Sequence, residues 1–402
     1  MRKLILLAMI YAAVFTSCQN SINAQETQNV SKGNNLTFRG VPYFPIGIYN
    51  HGSEIVSDKF NTELNLLKDA GFNLIHGKFL WDSTSVKNNL DFMDRCNARG
   101  ISILLEGVEE DVVKLIHLNP SVFAYIISDD ANNGNHPVQD VLADDAKVKG
   151  WDSNAHFTYS AVYPRYKNAN PGSSDPADYF TSCDLLGLEM YPIDSWAENS
   201  NPPDFVKSDE LLQNEKDCNA FQSGNKSNRP WLAIPQTFSW ASHSSGNDGR
   251  QTAKLPTPDE FRNITYVGLI NGAKGVIYYE FSHPGDKNTP AFKLYKHDSL
   301  WNEVKMVNSE LKELQNVYMS GMRIKLPTDN VWISASSWSF DGATYVIIAN
   351  LHKTLAQNTN HTFEAKGELT NVFPNRAATL TFLNGKLSGS IAPKQVQVYK
   401  IK

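Results

Sequence analysis

The chain is poor in the features that mark several large protein classes. It has four cysteines in 402 residues. None has metal-ligand spacing such as C-x-x-C, so a zinc site is unsupported. Charge of one sign is nearly absent as a surplus. The formal net charge is -5, which argues against a nucleic-acid or other polyanionic partner. No P-loop and no glycine-rich dinucleotide turn occurs. Hydrophobic residues make up 41% and charged residues 20%, a globular balance that excludes a disordered chain. The length exceeds one ordinary core and predicts a large domain plus a smaller one.

What is present begins with an export signal. "MRKLILLAMIYAAVFTSCQN" carries two basic residues, an apolar stretch too short for a comfortable membrane span, and then small residues. Its "FTSC" ending resembles the lipobox of bacterial lipoproteins, which implies lipid attachment at Cys18. An ordinary cleavage near Ala24 is the alternative. The expectation is a signal over residues 1–17 and a flexible, Asn/Gln/Ser-rich tether over 18–38. The chain would then be exported and membrane-anchored, at the bacterial outer membrane or cell surface. Cys96, Cys183 and Cys218 read as buried small hydrophobes.

From about residue 41, short apolar runs alternate with amphipathic segments. Strands are expected at 44–50, 73–79, 101–107, 122–130, 156–163, 183–192, 230–238 and 274–281. Helices fill most gaps. Thr257, Pro258 and Glu260 form a capping-box signature, and Leu300, Val304, Val307, Leu311 and Leu314 make one apolar stripe. Eight strand–helix units over about 275 residues predict a (β/α)8 TIM barrel at 39–320, with an open doubly wound sheet as runner-up. Past residue 320 the pattern changes to alternation around Asp341-Gly342 and Asn384-Gly385. These are hairpin signals, and they predict a C-terminal β-sandwich at 321–402.

In a TIM barrel, chemistry sits where strands end at their C-terminal side. Those ends carry Tyr49 and His51; His76 and Lys78; Glu106; Asp129 and Asp130; Tyr163; Glu189 and Tyr191; Gln236 and Trp240; and Glu280 and His283. Carboxylates gathered at one rim must be paired or functional. With aromatic edges such as Trp81, Trp196 and Trp240, they suit sugar chemistry, in which one carboxyl group protonates the glycosidic oxygen and another attacks or activates water. Asp129, Asp130, Glu189 and Glu280 are the candidate catalytic acids. Glu106, Tyr49, His76, Lys78, Tyr163, Tyr191, Gln236 and Trp240 are candidate substrate contacts. No cofactor or metal is required by this pattern, and the expected partner is a carbohydrate.

Three stretches carry a family resemblance over roughly residues 41 to 317. "VFAYIISDDANN", "CDLLGLEMYPI" and "NGAKGVIYYEF" are similar to the fourth, sixth and eighth strand motifs of the (β/α)8 glycoside hydrolases. The resemblance implies Asp130 as acid/base, where the usual residue is glutamate. It departs at "AIPQTFSW", where Gln236 stands in place of the strand-seven nucleophile. Three readings stay open. Asp130 acts with Glu189 or Glu280. Alternatively, Asp129 orients a substrate acetamido group beside acid Asp130, as in substrate-assisted hexosaminidases, with Tyr191 or Tyr163 bonding the acetamido oxygen. In the third, the cleft binds glycan without cleaving it.

Overall fold

A computed structural model describes residues 36–51, 57, 60–82, 85–134, 136–164, 174–194, 210–243, 253–285, 291–365 and 367–402. Cys18, Trp196 and tether residues 18–35 lie outside these; the expected tether ends early, because Leu36 is buried and Thr37–Phe38 pair antiparallel with Val41–Pro42. Eight parallel strands close into a barrel: β1 Ile46–Ile48, β2 Leu74–Lys78, β3 Ser102–Glu106, β4 Val122–Ser128, β5 Phe157–Val162, β6 Leu185–Met190, β7 Trp231–Pro235 and β8 Val276–Tyr278. The eighth strand returns to the first, Tyr278 pairing with Ile48. Every expected strand is present, shortened at its ends. Buried on both faces, these strands are continuous apolar runs.

The helices are α1 Asn61–Asp69, α2 Val86–Asn97, α3 Glu110–Ile116, α4 Val138–Trp151, α5 Glu210–Gly224, α6 Pro258–Ile270 and α7 Asp298–Ser320. The predicted capping box starts α6: the Glu260 carboxylate accepts the Thr257 amide at 2.9 Å, and Thr257 Oγ1 accepts the Glu260 amide. Cys96, Cys183 and Cys218 are buried free thiols. Among the described residues no helix is long and apolar enough to cross a membrane.

One glycine is required inside the barrel. A Cβ at Gly187 would collide with the Tyr159 hydroxyl. That hydroxyl reaches across the interior to the Tyr49 hydroxyl at 3.0 Å, so two buried tyrosines form the floor under the strand ends.

The C-terminal region is a five-stranded antiparallel sheet facing a three-stranded one. The first holds β9 Met322–Lys325, β10 Ile333–Phe340, β11 Ala343–Asn350, β13 Leu369–Asn371 and β16 Val396–Ile401. The second holds β12 Gln357–Thr362, β14 Thr381–Leu383 and β15 Lys386–Ile391. Both turn dipeptides lie where expected, Asp341-Gly342 joining β10 to β11 and Asn384-Gly385 joining β14 to β15, each with positive φ at both residues. This module seats on α6 and α7 through buried polar contacts. Glu310 accepts from Arg262 Nε at 2.9 Å, Arg376 Nε at 2.5 Å and the Tyr266 hydroxyl at 2.7 Å. Glu303 accepts from Arg376 Nη2 at 2.8 Å.

Candidate active site

The fourth strand stops at Ser128, and the chain then turns sharply. Asp130 adopts a left-handed conformation with φ 48°, and a 3-10 turn over Ala131–Asn133 follows. Aspartate is one of the few non-glycine residues that adopt this conformation readily. The turn is braced from both sides. Asn132 Nδ2 donates to Tyr163 O at 2.9 Å, Asn132 Oδ1 accepts the Tyr163 amide at 3.0 Å, and the Tyr179 hydroxyl donates to Ala131 O and His136 O. Strict alternation would send one of the two aspartates away from the mouth. Leaving strand geometry lets Asp129 and Asp130 both act on Glu189 at the end of β6.

Glu189 and Asp130 are in hydrogen-bond contact. Burial, then the charges of Asp130 and Asp129, then that hydrogen bond hold the Glu189 proton well above the usual carboxyl range. Asp129 keeps a solvent-facing surface at the mouth but is enclosed on its other sides. Its carboxyl is pushed up to about 6, first by that enclosure and then by Asp130 and Glu106. No basic side chain forms an ion pair with Asp129, Asp130 or Glu189 among the described residues.

Glu106 behaves differently. The β2–β3 register sets it beside Lys78. Lys78 Nζ donates to it at 2.5 Å and His76 Nε2 lies 3.0 Å away. Despite partial burial, these partners hold its carboxyl down at about 2. His76, fully buried, also takes the Asn50 amide on Nδ1, so its ring is fixed from both ends. His76, Lys78 and Glu106 are one charge-compensated group, with Lys78 remaining largely exposed.

Two expectations need correction. Gln236 is fully buried and does not contact the cleft: its Nε2 donates to Ile193 O and Phe238 O, and its Oε1 accepts the Ile193 amide at 2.9 Å. It braces the loop after β6, a use of an amide that a carboxylate could not match. Glu280 is likewise 0% exposed, so it is not a cleft-surface acid. It is surrounded by His243 Nε2 at 3.0 Å, His283 Nε2 at 3.8 Å and His51 Nδ1 at 3.9 Å. Among the described residues, two groups have ligand atoms within 4.8 Å of one another and are thus able to hold a metal: His51, His76 and Glu106, and His243, Glu280 and His283. Sequence reasoning missed His243 altogether. It lies in a short 3-10 turn, Trp240–His243, and no local spacing ties it to Glu280.

Aromatic rings line the space between the acids and the histidines. Tyr279 packs 5.5 Å from Tyr49, 5.5 Å from Tyr191 and 5.9 Å from His243. Tyr191 also contacts Phe238 and Trp240. Tyr163 is half-buried beside the Asn132 brace, and Trp81 is half-buried in the loop after β2.

No protein-family model matches the chain, and no curated protein matches it in sequence. Solved structures do match it in fold. One described as "Glycoside hydrolase" has a TM-score of 0.63 at 14% identity, over 95% of this chain and 98% of that one. The α-amylase of Geobacillus thermoleovorans, solved with acarbose, has a TM-score of 0.57 at 12% identity, over 89% and 96%. The GH51 arabinofuranosidase of Xanthomonas axonopodis pv. citri has 0.52 at 8%, over 94% and 96%. The chain therefore has the two-part fold found in these glycoside hydrolases, a closed (β/α)8 barrel followed by a β domain. At such identities the likeness defines architecture, and the chemistry must be argued from this chain's own residues.

Proposed function

We propose that the chain is a glycoside hydrolase whose acid is the proton-sharing pair Glu189–Asp130, with Asp129 as the second carboxylate. The observation that carries this is the contact between Glu189 and Asp130 at the mouth of the barrel, without a basic partner among the described residues. A carboxyl group that keeps its proton at neutral pH is what protonation of a glycosidic oxygen needs. The part-exposed rings of Tyr279 and Trp240 supply faces for sugar rings. The names of the solved neighbours, a glycoside hydrolase, an α-amylase and an arabinofuranosidase, support the same reaction class.

The contact also favours one mechanism. Two carboxyls flanking a scissile bond stand about 5–5.5 Å apart in retaining enzymes and about 6.5–9.5 Å apart in inverting ones. A hydrogen bond between Glu189 and Asp130 makes them share a proton and act as one acid. The attacking role then falls to the substrate itself, a 2-acetamido sugar whose acetamido group Asp129 orients. Aryl glycosides of N-acetylhexosamines and of plain hexoses, assayed side by side, test this. Turnover of the acetamido sugars alone, lost in Asp130→Asn, supports the reading. Binding of glycans without any turnover would replace it with a non-catalytic glycan-binding role.

Export and anchoring through a lipid on Cys18 belong to the same proposal. A membrane-bound chain that becomes soluble on Cys18→Ser supports it, and an unmodified Cys18 in the mature chain would remove it.

A further inference from the structure

We propose that Glu280, His243 and His283 bind a divalent transition-metal ion of the zinc class on the β7–β8 side of the barrel mouth. The three residues come from separate pieces of chain. Glu280 lies two residues past the eighth strand and directly follows Tyr279, whose ring contacts both Tyr191 and His243. His243 comes from the 3-10 turn after β7, and His283 from a short antiparallel ribbon in which Ser282–His283 pairs with Phe292–Lys293. Their ligand atoms lie within 4.8 Å of one another.

Three observations point to a cation instead of a hydrogen-bonded cage. First, Glu280 is 0% exposed, and neither of its carboxylate oxygens has a hydrogen-bond partner among the described residues. A buried carboxylate left that way is costly unless something positive sits beside it. Second, His243 Nε2 is 3.0 Å from Glu280 Oε1, yet both atoms lack a hydrogen-bond partner, so the contact is close but misaligned. Misalignment is expected when both lone pairs point at a third position. Third, His283 Nε2 and His51 Nδ1 stand 3.8 and 3.9 Å from the carboxylate, too far for hydrogen bonds. Ligands at zinc–ligand bond lengths of about 2.0–2.1 Å on a tetrahedral ion are themselves roughly 3.3–3.4 Å apart. The 3.0 and 3.8 Å separations bracket that value.

Two histidines and a glutamate form a familiar donor set for zinc and for related first-row ions, and leave an open coordination position. The other histidine group does not compete, because Glu106 is already satisfied by Lys78 and His76. One contact must yield. The Gly285 amide lies 3.1 Å from His283 Nδ1, and ligation through Nε2 puts a proton on that Nδ1. Gly285, with φ 71°, is a residue type whose backbone reorients at little steric cost. The rival arrangement keeps that amide contact and binds no metal.

The test is direct and does not depend on whether the chain cleaves glycosides. The full untagged chain is stripped with a chelator and titrated with zinc chloride by calorimetry and by thermal unfolding. Binding of about one equivalent with a rise in Tm is expected. Glu280→Gln and His243→Ala should each weaken it at least about 100-fold, beyond the 10–100-fold typical of outer-shell changes. Should Glu280→Gln fail to fold, His243→Ala decides alone, since His243 is partly exposed on a short turn. A stripped protein that takes up no zinc overturns the proposal, as does uptake unchanged in a folded variant.

Discussion

Carboxylates cluster at two places in this molecule, and their surroundings differ in kind. Where the sandwich meets the barrel, Glu303 and Glu310 are buried, and each is met by guanidinium groups: Arg376 for both and Arg262 for Glu310. At the barrel mouth, Asp129, Asp130 and Glu189 face one another with no cation paired to them among the described residues. The first arrangement satisfies charge and locks two layers of structure together. The second raises the pKa of Asp129 and Glu189 and so favours their protonated forms. The lesson is that the number of acids says little, whereas the identity of what faces each acid separates a structural brace from a reactive group. Glu106, which the sequence pattern groups with the acids, belongs with the braces because of Lys78 and His76.

The contrast can be broken at either end. The largest effect is expected for Glu189→Gln, which keeps the shape and removes the proton. Turnover of the acetamido substrate should fall by about 10²- to 10⁴-fold with melting unchanged or improved. A variant that unfolds instead would make Glu189 a brace.

Next comes Arg376→Met. It strips the guanidinium from Glu303 and one of three donors from Glu310, leaving buried charge uncompensated. Urea denaturation should show a loss of about 3–5 kcal/mol, while turnover per folded molecule stays the same. If stability is untouched, the junction pairs are ornamental and the comparison fails.

The third effect depends on pH. Asp129 titrates at about 6, above the ordinary aspartate value, so it is neutral below that pH and charged above it. If the charged form orients the substrate, kcat/KM falls as pH drops through about 6, and Asp129→Asn abolishes that limb. Because the folded state raises this pKa, the folded chain holds the proton more tightly than the unfolded chain. Stability from this group is therefore lost as pH rises through about 6. Asp129→Asn should melt higher than the parent at neutral pH, and the gap should close toward pH 4.

Trp240→Ala sharpens the comparison least. Losing one stacking face should raise KM about 3- to 10-fold and leave kcat alone, seen in steady-state kinetics.

Much of the framework is legible because it is written locally. Each strand is a short apolar run, each hairpin turn has its Asp-Gly or Asn-Gly, and the capping box of α6 spans four adjacent residues. Neighbouring residues alone are enough to specify such features. The site is harder to read because its partners are remote. Gln236 looked like a substitute for a nucleophile, but its amide is consumed by the backbone of Ile193 and Phe238. Glu280 looked like a cleft acid, but histidines drawn from positions 51, 243 and 283 enclose it. The Asp-Asp ending was visible as an oddity, whereas its consequence hangs on a left-handed turn at Asp130 and on Glu189 from two strands away.

The sequence by itself determined the repeating strand–helix rhythm, the change to hairpins after residue 320, and the presence of acids at strand ends. Those follow from periodicity and turn chemistry, which act over a few residues. Tertiary structure alone decided which acid holds its proton more tightly, which found a lysine and which was enclosed by histidines. A carboxyl group's protonation depends on burial and on charges a few ångströms away in space. Closing the barrel brings those charges together from distant parts of the chain.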